Sequence, residues 1–355
     1  MSFRNAIESL VITAAALVFS LLVFGAFMYV YAKVPPDQLY YWIYMGGFGS
    51  RFSWQNTLTR AAPLILTALC TALPARLGMI VIGGEGALVL GGLAAVLTGL
   101  LCGSAPAAVA QLAMALAAML VGGGMIALVG LMSHGRGVNA TISSLLLAYI
   151  AIAVFNFAVE NPVLRDPASL NKPSTYPIDD SIKIGNMPGM DVHWGLAYGI
   201  VFCVVMYVLM EHTTFGFAAR MAGGNIRAAQ ASGLPVGWLV VIVCALGGAA
   251  AGLAGMVEIG AVHGQANAAI IAGYGFTGIL VSFIARHHPL GIIPAAILFG
   301  GLNASSGVLQ RWLKVPDASV QVLMGIMFVS ILGFETLYGR LRLFTPTEVR
   351  KVAVA

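Results

Sequence analysis

Glu85 is an ionisable residue in an otherwise apolar stretch, and glycines surround it in the run from Gly78 to Ala87. A carboxyl group at membrane depth is costly and marks a functional site by default. The glycines permit an interrupted helix or a close approach of two backbones. We therefore predict that Glu85 lines a substrate path. A position at the membrane–water interface is the alternative, because Arg76 lies close by in the sequence.

A second glycine-rich segment begins at Gly273 and carries the aromatic residues Tyr274 and Phe276. Its glycines spell G-x-G-x-x-G, but no preceding strand or βαβ unit is available, so the pattern does not indicate a dinucleotide site. The two rings could stack on a base or sugar ring, or pack at the start of a helix. The chain contains no G-x-x-x-x-G-K-S/T sequence, so we do not expect it to be an ATPase itself.

Two asparagines are further candidates for the substrate path. Asn139 precedes a run with three hydroxyl side chains, Thr141, Ser143 and Ser144. These hydroxyls would either join helices or touch a ligand, and hydrogen bonding between helices is favoured. Asn303 lies in a late apolar segment interrupted by serines and glycines. We predict that both asparagines line the path.

The remaining reactive residues do not form a metal or catalytic cluster in the sequence. The four cysteines stand singly, which argues against a zinc site or a disulfide framework. His263 and the pair His287 and His288 fall on opposite sides of the predicted membrane. Glu258 either lines an outer vestibule or points to water. No nucleophile–base pair is evident, so we expect neither an enzyme nor a cofactor or metal bound by this chain.

The composition indicates a membrane protein. Hydrophobic residues make up 59% of the 355 positions and charged residues 9%, against about 25% charged residues in an average soluble domain. Lipid must therefore be the solvent for much of the surface. The net charge of +5 fits the basic residues that hold inner loops in place, and no basic run with interleaved aromatic residues suggests nucleic acid as a partner.

Apolar stretches long enough to cross a bilayer recur along the chain. A hydrocarbon core of ~30 Å requires ~20 apolar residues in a helix. The first stretch is too long for the apolar part of a signal peptide, so we interpret it as a retained helix. The prediction is an all-α integral membrane protein with one domain over residues 1–355 and about ten transmembrane helices, some broken or re-entrant. The stretches are 10–31, 57–75, 78–101, 105–132, 139–159, 193–211, 237–261, 270–286, 289–309 and 318–339.

Basic residues set the predicted orientation. With both termini in the cytoplasm, ten Lys and Arg residues fall on the inner side and eight on the outer side. Residues 34–56 and 160–193 then become outer loops. The first loop carries an aromatic cluster suited to the membrane–water interface, and the second is rich in proline, which predicts an irregular loop.

The segment 212–236 is the largest loop on the predicted cytoplasmic side. Phe217 to Met221 and Ile226 to Ala231 are each suited to a short helix, with Gly223 and Gly224 separating them. A compact elbow of small residues would fit a groove on a cytoplasmic partner, although an ordinary connection between helices is the alternative.

This segment resembles the coupling loop of ABC-importer permeases for sugars, branched-chain amino acids and nucleosides. The loop of that family has the form Thr-x-Phe-Gly-x-x-x-Arg-x-x-Gly-x-Asn-x-x-Ala-Ala-x-x-x-Gly. The resemblance extends over roughly residues 57 to 335, and the block from Gly273 to Gly301 is similar to the nucleoside-type branch. The sequence departs from the family where Ala87, Ala140 and Ala148 replace common polar residues. The residues that the resemblance assigns to ATPase coupling are Phe215, Gly216, Arg220, Gly223, Gly224, Asn225, Ala228 and Ala229.

The resemblance implies a multi-pass subunit of the bacterial inner membrane. Its implied partners are a second permease subunit, a cytoplasmic ATPase that holds ATP and magnesium, and an external binding protein or lipoprotein. The expected function is ATP-driven import of nucleosides or related purine and pyrimidine compounds. Import of ribose-type sugars is one alternative. An ion-coupled secondary transporter is another, although paired buried carboxylates would be expected there.

Overall fold

The computed structural model describes residues 3–103, 105–169 and 172–336, and the side chains of residues 3–10 and Glu335 lie outside that description. The described part is helical, with isolated β-bridges in place of strands. This confirms the all-α prediction. The helices are α1 Phe3–Ala32, α2 Pro36–Gly47, α3 Arg51–Ala75, α4 Gly84–Leu101, α5 Ala107–Arg136, α6 Ala140–Glu160, α7 Gly195–His212, α8 Thr214–Gly224, α9 Ile226–Ala231, α10 Val236–Val257, α11 Tyr274–Ile284, α12 Pro289–Leu313 and α13 Ala318–Glu335.

Within the described residues, eight segments are long and apolar enough to cross a membrane. Two of the ten predicted spans correspond to shorter apolar segments, Ala268–Ile284 and Ala318–Phe334. Helix α11 has 11 residues, so its length of about 17 Å is roughly half of a hydrocarbon core. The segment between α3 and α4 is also non-helical at residues 79–82. The expectation of broken helices is therefore confirmed.

The chain divides into two compact units: the described parts of Met1–Ser53 and Leu302–Ala355 form one, and Trp54–Gly301 forms the other. In the first unit, α1 packs against α13 and α2. The rings of Trp42 and Trp312 stack with centroids 4.6 Å apart, and Gly46 lies against the backbone of Ser305. A single permease domain over the whole chain stays a prediction.

The predicted outer loop 34–56 is wrong in its secondary structure, because α2 and the first turns of α3 occupy most of it. Pro36 stands at the first position of α2, where its fixed φ favours helix and its missing N–H costs nothing. Leu39 and Ile43, one turn apart, are buried. The aromatic residues lie on this helix. The proline pair therefore starts a helix instead of marking a loop.

The second unit is built around α4, α5 and α10, which pack closely through small residues. Gly252 leaves no room for a methyl group against the backbone of Ala118 on α5, and Gly255 leaves none against Leu88 on α4. Close backbone approach at small residues is how membrane helices associate without a hydrophobic driving force between them.

The segment 160–193 is irregular in its described part, as its prolines predicted. It holds one short 3₁₀ turn, Asp180–Ile182. Its backbone bonds to the chain after α10: the N–H groups of Ile178 and Ile184 donate to the carbonyls of Gly264 and Gly260 at 2.9 and 2.8 Å. The loop thus covers the end of α10, and three of its own side chains, Ile178, Ile182 and Ile184, are buried.

Candidate functional site

Glu85 lies at the start of α4 and holds the start of α11. Its side chain is fully buried. Oε1 accepts a hydrogen bond from the Gly273 N–H at 2.8 Å, and Oε2 accepts one from the Gly275 N–H at 2.6 Å. A carboxyl group at this place satisfies N–H groups that the helix leaves unpaired and faces the positive end of its dipole. Glu85 therefore joins two helices that both begin inside the second unit.

Gly275 is required for this approach of the two helix starts. A Cβ on Gly275 would overlap the backbone nitrogen of Glu85. On the opposite side, the Thr67 hydroxyl of α3 donates to the carbonyl of Tyr274 at 3.1 Å. The first turn of α11 is thus fixed from both α3 and α4, and only glycine allows the required distance.

The irregular segment before α4 is satisfied by side-chain hydroxyls. Thr71 donates to the Val81 carbonyl at 3.0 Å, and Thr141 donates to the Ile80 carbonyl at 2.8 Å. The Ile82 N–H donates to the Ser144 hydroxyl at 3.0 Å. Non-helical backbone at membrane depth needs such partners. These bonds agree with the favoured interpretation of Thr141 and Ser144 as links between helical elements. The alternative position for Glu85, at the membrane–water interface, does not agree with the burial of its side chain.

The structure brings together some of the predicted path residues and separates others. Glu85, Tyr274 and Phe276 meet at the start of α11, where Phe276 is 38% exposed. Asn139 caps α6, and its Oδ1 accepts from the N–H groups of Thr141 and Ile142 at 3.0 and 3.1 Å. Asn303 lies in the first unit and is half-buried. A path-lining role for these residues stays a prediction.

A polar cavity of about 280 Å³ adjoins Tyr274 in the second unit. It lies at the end of α10 distant from α8 and α9, because the 22 residues of α10 span about 33 Å. Glu258, which the sequence left between a vestibule and open water, is 3% exposed and lines this cavity. The polar and aromatic lining residues are Asn56, Thr59, Arg60, Glu258, His263 and Tyr274.

Sequence reasoning missed the contribution of α3 to this cavity. Asn56, Thr59 and Arg60 stand three and four positions apart, so they share one face of α3, and the Arg60 Nε donates to the Asn56 Oδ1 at 3.3 Å. That polar face within an apolar span was the available signal. The turn Glu258–His263 has π-helical hydrogen bonding, which is common at functional sites and has no simple sequence signature.

The coupling segment forms two capped helices, α8 and α9. The Thr213 hydroxyl accepts from the Gly216 N–H at 3.3 Å, and the Asn225 Oδ1 accepts from the Ala228 N–H at 3.1 Å. The predicted break at Gly223 and Gly224 is wrong, because both residues belong to α8 and the chain turns at Asn225. The extended backbone of Asn225, with φ of −157°, ends one helix while its side chain starts the next.

Adjacent glycines in α8 have different surroundings. A Cβ on Gly223 would overlap the Arg76 carbonyl oxygen and crowd the Leu77 backbone, whereas a Cβ on Gly224 would meet nothing within 4 Å. Gly216 lies equally close to the backbone of Met210. Of the other predicted coupling residues, Phe215 is half-buried, Ala229 is buried and Ala228 is exposed. The segment after α3 therefore rests directly on α8 at Gly223.

Glu211 links α8 to the same segment through charge. Its Oε1 lies 2.9 Å from the Arg76 Nη2, and its Oε2 lies 3.1 Å from the Arg220 Nη1. Arg220 also donates to the Met210 carbonyl, and the Arg76 Nε donates to the His287 carbonyl at 3.2 Å. Burial, and secondarily the charge of Arg76, lower the pKa of His287 to about 4. The ring is therefore neutral at pH 7.

The outer surface of α8 and α9 carries three large apolar side chains. Phe217, Met221 and Ile226 are 58%, 40% and 50% exposed. The sequence motif does not select these three residues, because each stands at an x position between the motif residues. Exposed apolar side chains on two capped helices are typical of a protein–protein contact.

The comparison with known proteins identifies the class. A family model described as "Branched-chain amino acid transport system / permease component" matches residues 53–332. The chain belongs to this family of ABC transporter permeases, and it is a transport subunit rather than an enzyme. The expected resemblance over 57 to 335 is thereby confirmed.

Three relatives are similar over most of the chain. The glucose ABC transporter permease protein TsgB13 of Haloferax volcanii is 29% identical over 91% of this chain and 87% of its own length. The guanosine ABC transporter permease protein NupP of Bacillus subtilis is 28% identical over 81% and 83%. The guanosine ABC transporter permease protein NupQ of the same organism is 27% identical over 80% and 91%.

Proposed function

We propose that this chain is the membrane-spanning subunit of an ATP-driven importer of nucleosides or related purine and pyrimidine compounds. The single observation that carries the substrate class is the likeness to permeases of guanosine and of nucleosides, which extends over most of the chain. The import mechanism draws on the α8–α9 pair. Its exposed apolar surface suits docking on an ATPase, and its inner surface rests on the segment after α3.

The proposed assembly has four kinds of subunit. A cytoplasmic ATPase binds ATP and magnesium and contacts the 212–236 segment. A second permease subunit pairs with this chain, which the existence of two guanosine permease proteins in Bacillus subtilis supports. An external binding protein or lipoprotein delivers the substrate at the end of α10 distant from α8. The proposal includes both termini in the cytoplasm of a bacterium and the complex in its inner membrane.

The basic residues that support this orientation are only partly described. Arg76, Arg136 and Arg286 lie at the ends of helices or in short connections, and Arg220 and Arg227 lie in the short helices α8 and α9. The side chain of Arg4 and the residues Arg340, Arg342, Arg350 and Lys351 lie outside the described residues.

A sugar importer is the second candidate function, because one relative is a glucose permease. The ion-coupled alternative is not proposed, because the chain belongs to a family of ABC permeases. Nucleosides and sugars share ring hydroxyl groups, so the two candidates differ in whether a base is also carried.

The energy source and the substrate are tested together by uptake. Cells that express the chain together with the other proposed subunits are expected to accumulate radiolabelled guanosine even after treatment with a protonophore. This accumulation is expected to stop when ATP is depleted. ATP closure on the α8–α9 pair would drive this uptake directly, whereas an ion gradient would not be needed. Labelled glucose and leucine serve as comparison substrates. Accumulation of glucose without guanosine would favour the sugar importer, and loss of uptake with the protonophore alone would contradict ATP-driven import.

The Glu211→Gln variant is expected to reduce ATP-driven uptake about fivefold, because two guanidinium groups lose their shared carboxylate and each lost pair is worth ~0.5 kcal/mol. ATP hydrolysis by the assembled complex is expected to persist. The ratio of substrate molecules to ATP hydrolysed in proteoliposomes measures the effect. Glu160→Gln, at the far end of α6, is the control variant. An unchanged ratio in Glu211→Gln would show that the Arg76 and Arg220 pairs do not contribute to coupling.

A further inference from the structure

We propose that the polar cavity at the end of α10 is a substrate subsite that binds the ring hydroxyl groups of the transported molecule, with Glu258 as the hydrogen-bond acceptor. This inference rests on the proposed import function. It places a substrate contact in a single permease subunit, at the end of α10 distant from α8 and α9. It also assigns a role to Glu258, which the sequence alone left undecided.

The carboxyl group of Glu258 has little compensation from the protein. Glu258 is 3% exposed, and in the described part of the chain its one basic side-chain neighbour within 4.0 Å is His263, whose Nε2 lies 3.5 Å from Oε2. A buried carboxyl group ordinarily accepts several hydrogen bonds, because burial without them is costly. Glu258 therefore retains acceptor capacity that faces the cavity.

His193 is a second buried group with unused hydrogen-bonding capacity near Glu258. It is 3% exposed, and within the described residues neither ring nitrogen has a well-formed hydrogen bond, although the backbone of Thr59 is close. Burial lowers the pKa of His193, and the nearby charge of Glu258 acts in the opposite direction. His193 does not line the cavity, but a buried ring without a well-formed hydrogen bond close to Glu258 is unusual in a region that serves packing alone.

The chemistry of the lining selects a neutral polar ligand with several hydroxyl groups. Arg60 and Asn56 supply N–H donors, and Glu258 supplies an acceptor. Arg60 and Glu258 carry opposite formal charges, so together they add no net charge to the lining, which suits a neutral ligand. A carboxylate can accept from two adjacent hydroxyls of a ribose or hexose ring, and the Tyr274 ring offers an apolar face to the same ring.

The position of the turn is suited to a site that changes during transport. Glu258 and His263 are the two ends of the π-helical turn Glu258–His263, and Gly264 follows with φ of +68°, a conformation that favours glycine. Strained or irregular helical turns tend to mark functional sites. The same turn carries the carbonyl of Gly260 that receives the outer loop at Ile184, so occupancy of the cavity and the position of that loop are directly connected.

The test compares substrates with and without hydroxyl groups in wild type and in Glu258→Gln. Initial uptake of guanosine and of 2′,3′-dideoxyguanosine is measured in proteoliposomes that contain the full complex and the same external binding protein. The binding protein contributes its own preference equally to both permeases, so it cancels when the two preferences are divided. The preference for guanosine is expected to fall by about tenfold in Glu258→Gln, because a site built for a hydroxyl loses its discrimination with its acceptor.

Three further variants keep the test decisive. Glu258→Asp retains a carboxylate and is expected to retain most of the preference. Asp180→Asn removes an exposed carboxylate outside the cavity and is expected to change nothing. Asn56→Ala, on the opposite wall, is expected to lower the preference as well, and it serves if Glu258→Gln fails to assemble.

The outcomes separate this inference from the import function. If Glu258→Gln slows both substrates by the same factor, or slows neither, the subsite is excluded while the import function stands. If the wild-type complex carries glucose and not guanosine, the same ratio is measured with glucose and 2-deoxyglucose, and a fall in that ratio supports the subsite although the nucleoside assignment has failed.

Discussion

The Gly223→Leu variant is expected to lose ATP-driven uptake while the complex still assembles in the membrane. A side chain at this position would overlap the Arg76 carbonyl and the Leu77 backbone. Overpacking of this kind costs ~1–3 kcal/mol, which corresponds to about a fivefold to more than hundredfold decrease in the population of the arrangement that joins α8 to the segment after α3. Uptake and ATP hydrolysis in proteoliposomes measure the effect, and detergent extraction of the intact complex reports assembly.

Gly224 provides the matched control for this prediction. Gly223→Ala and Gly224→Ala add the same methyl group one residue apart, yet the first meets backbone and the second meets nothing within 4 Å. The first substitution is expected to reduce uptake and the second to leave it near the wild-type rate. Wild-type uptake by Gly223→Leu would show that close contact between α8 and the Arg76–Leu77 turn is not needed for transport.

The sequence predicted both glycines as coupling residues of equal weight, and the structure separates them. A motif records that a residue is small, but it does not record which backbone the residue faces. The same limit explains the misplaced break in the coupling segment. Glycines usually end helices, so Gly223 and Gly224 were the expected break. Asn225 ends α8 instead, because its side chain caps the following helix.

The helical spans were predictable because lipid imposes a minimum length on each one. The chain between α3 and α4 was predictable as an interruption, since its glycines made a continuous helix unfavourable. Helix α2 was not predictable in the same way. Its proline pair is compatible with a loop or with a helix start, and the choice depends on Leu39 and Ile43 finding a buried surface.

The partners of individual polar residues were beyond the sequence. Glu85 stood out as a costly carboxyl group, but its partner Gly273 lies 188 residues away. Glu258 and Arg60 line one cavity although they belong to different helical segments. The sequence alone left the position of Glu258 undecided and did not select Arg60 as a site residue. Local patterns therefore located the special residues, whereas the fold alone decided whether each would cap a helix, pair with a charge or line a cavity.

The Glu85→Gln variant is expected to reduce uptake about tenfold or more without preventing membrane insertion. Two N–H groups at the start of α11 donate to the two oxygens of Glu85, and glutamine offers only one acceptor. A buried N–H left without a partner costs ~1–3 kcal/mol, which corresponds to about a thirtyfold change at the middle of that range. Insertion is expected to persist because the apolar length of α4 is unchanged. Glu85→Leu removes both acceptors and is expected to have the larger effect.

The pattern of the loss distinguishes helix positioning from substrate contact. If Glu85 holds α11 in place, Glu85→Gln slows guanosine and its dideoxy analogue by the same factor, in contrast to the selective loss expected for Glu258→Gln. Thr98→Val is the control on α4, since it removes only a hydroxyl bonded to the Ala94 carbonyl of the same helix. A substrate-dependent loss would instead place Glu85 on the substrate path. Full uptake by Glu85→Gln would show that the start of α11 is held well enough by Thr67 and by the packing of Gly275.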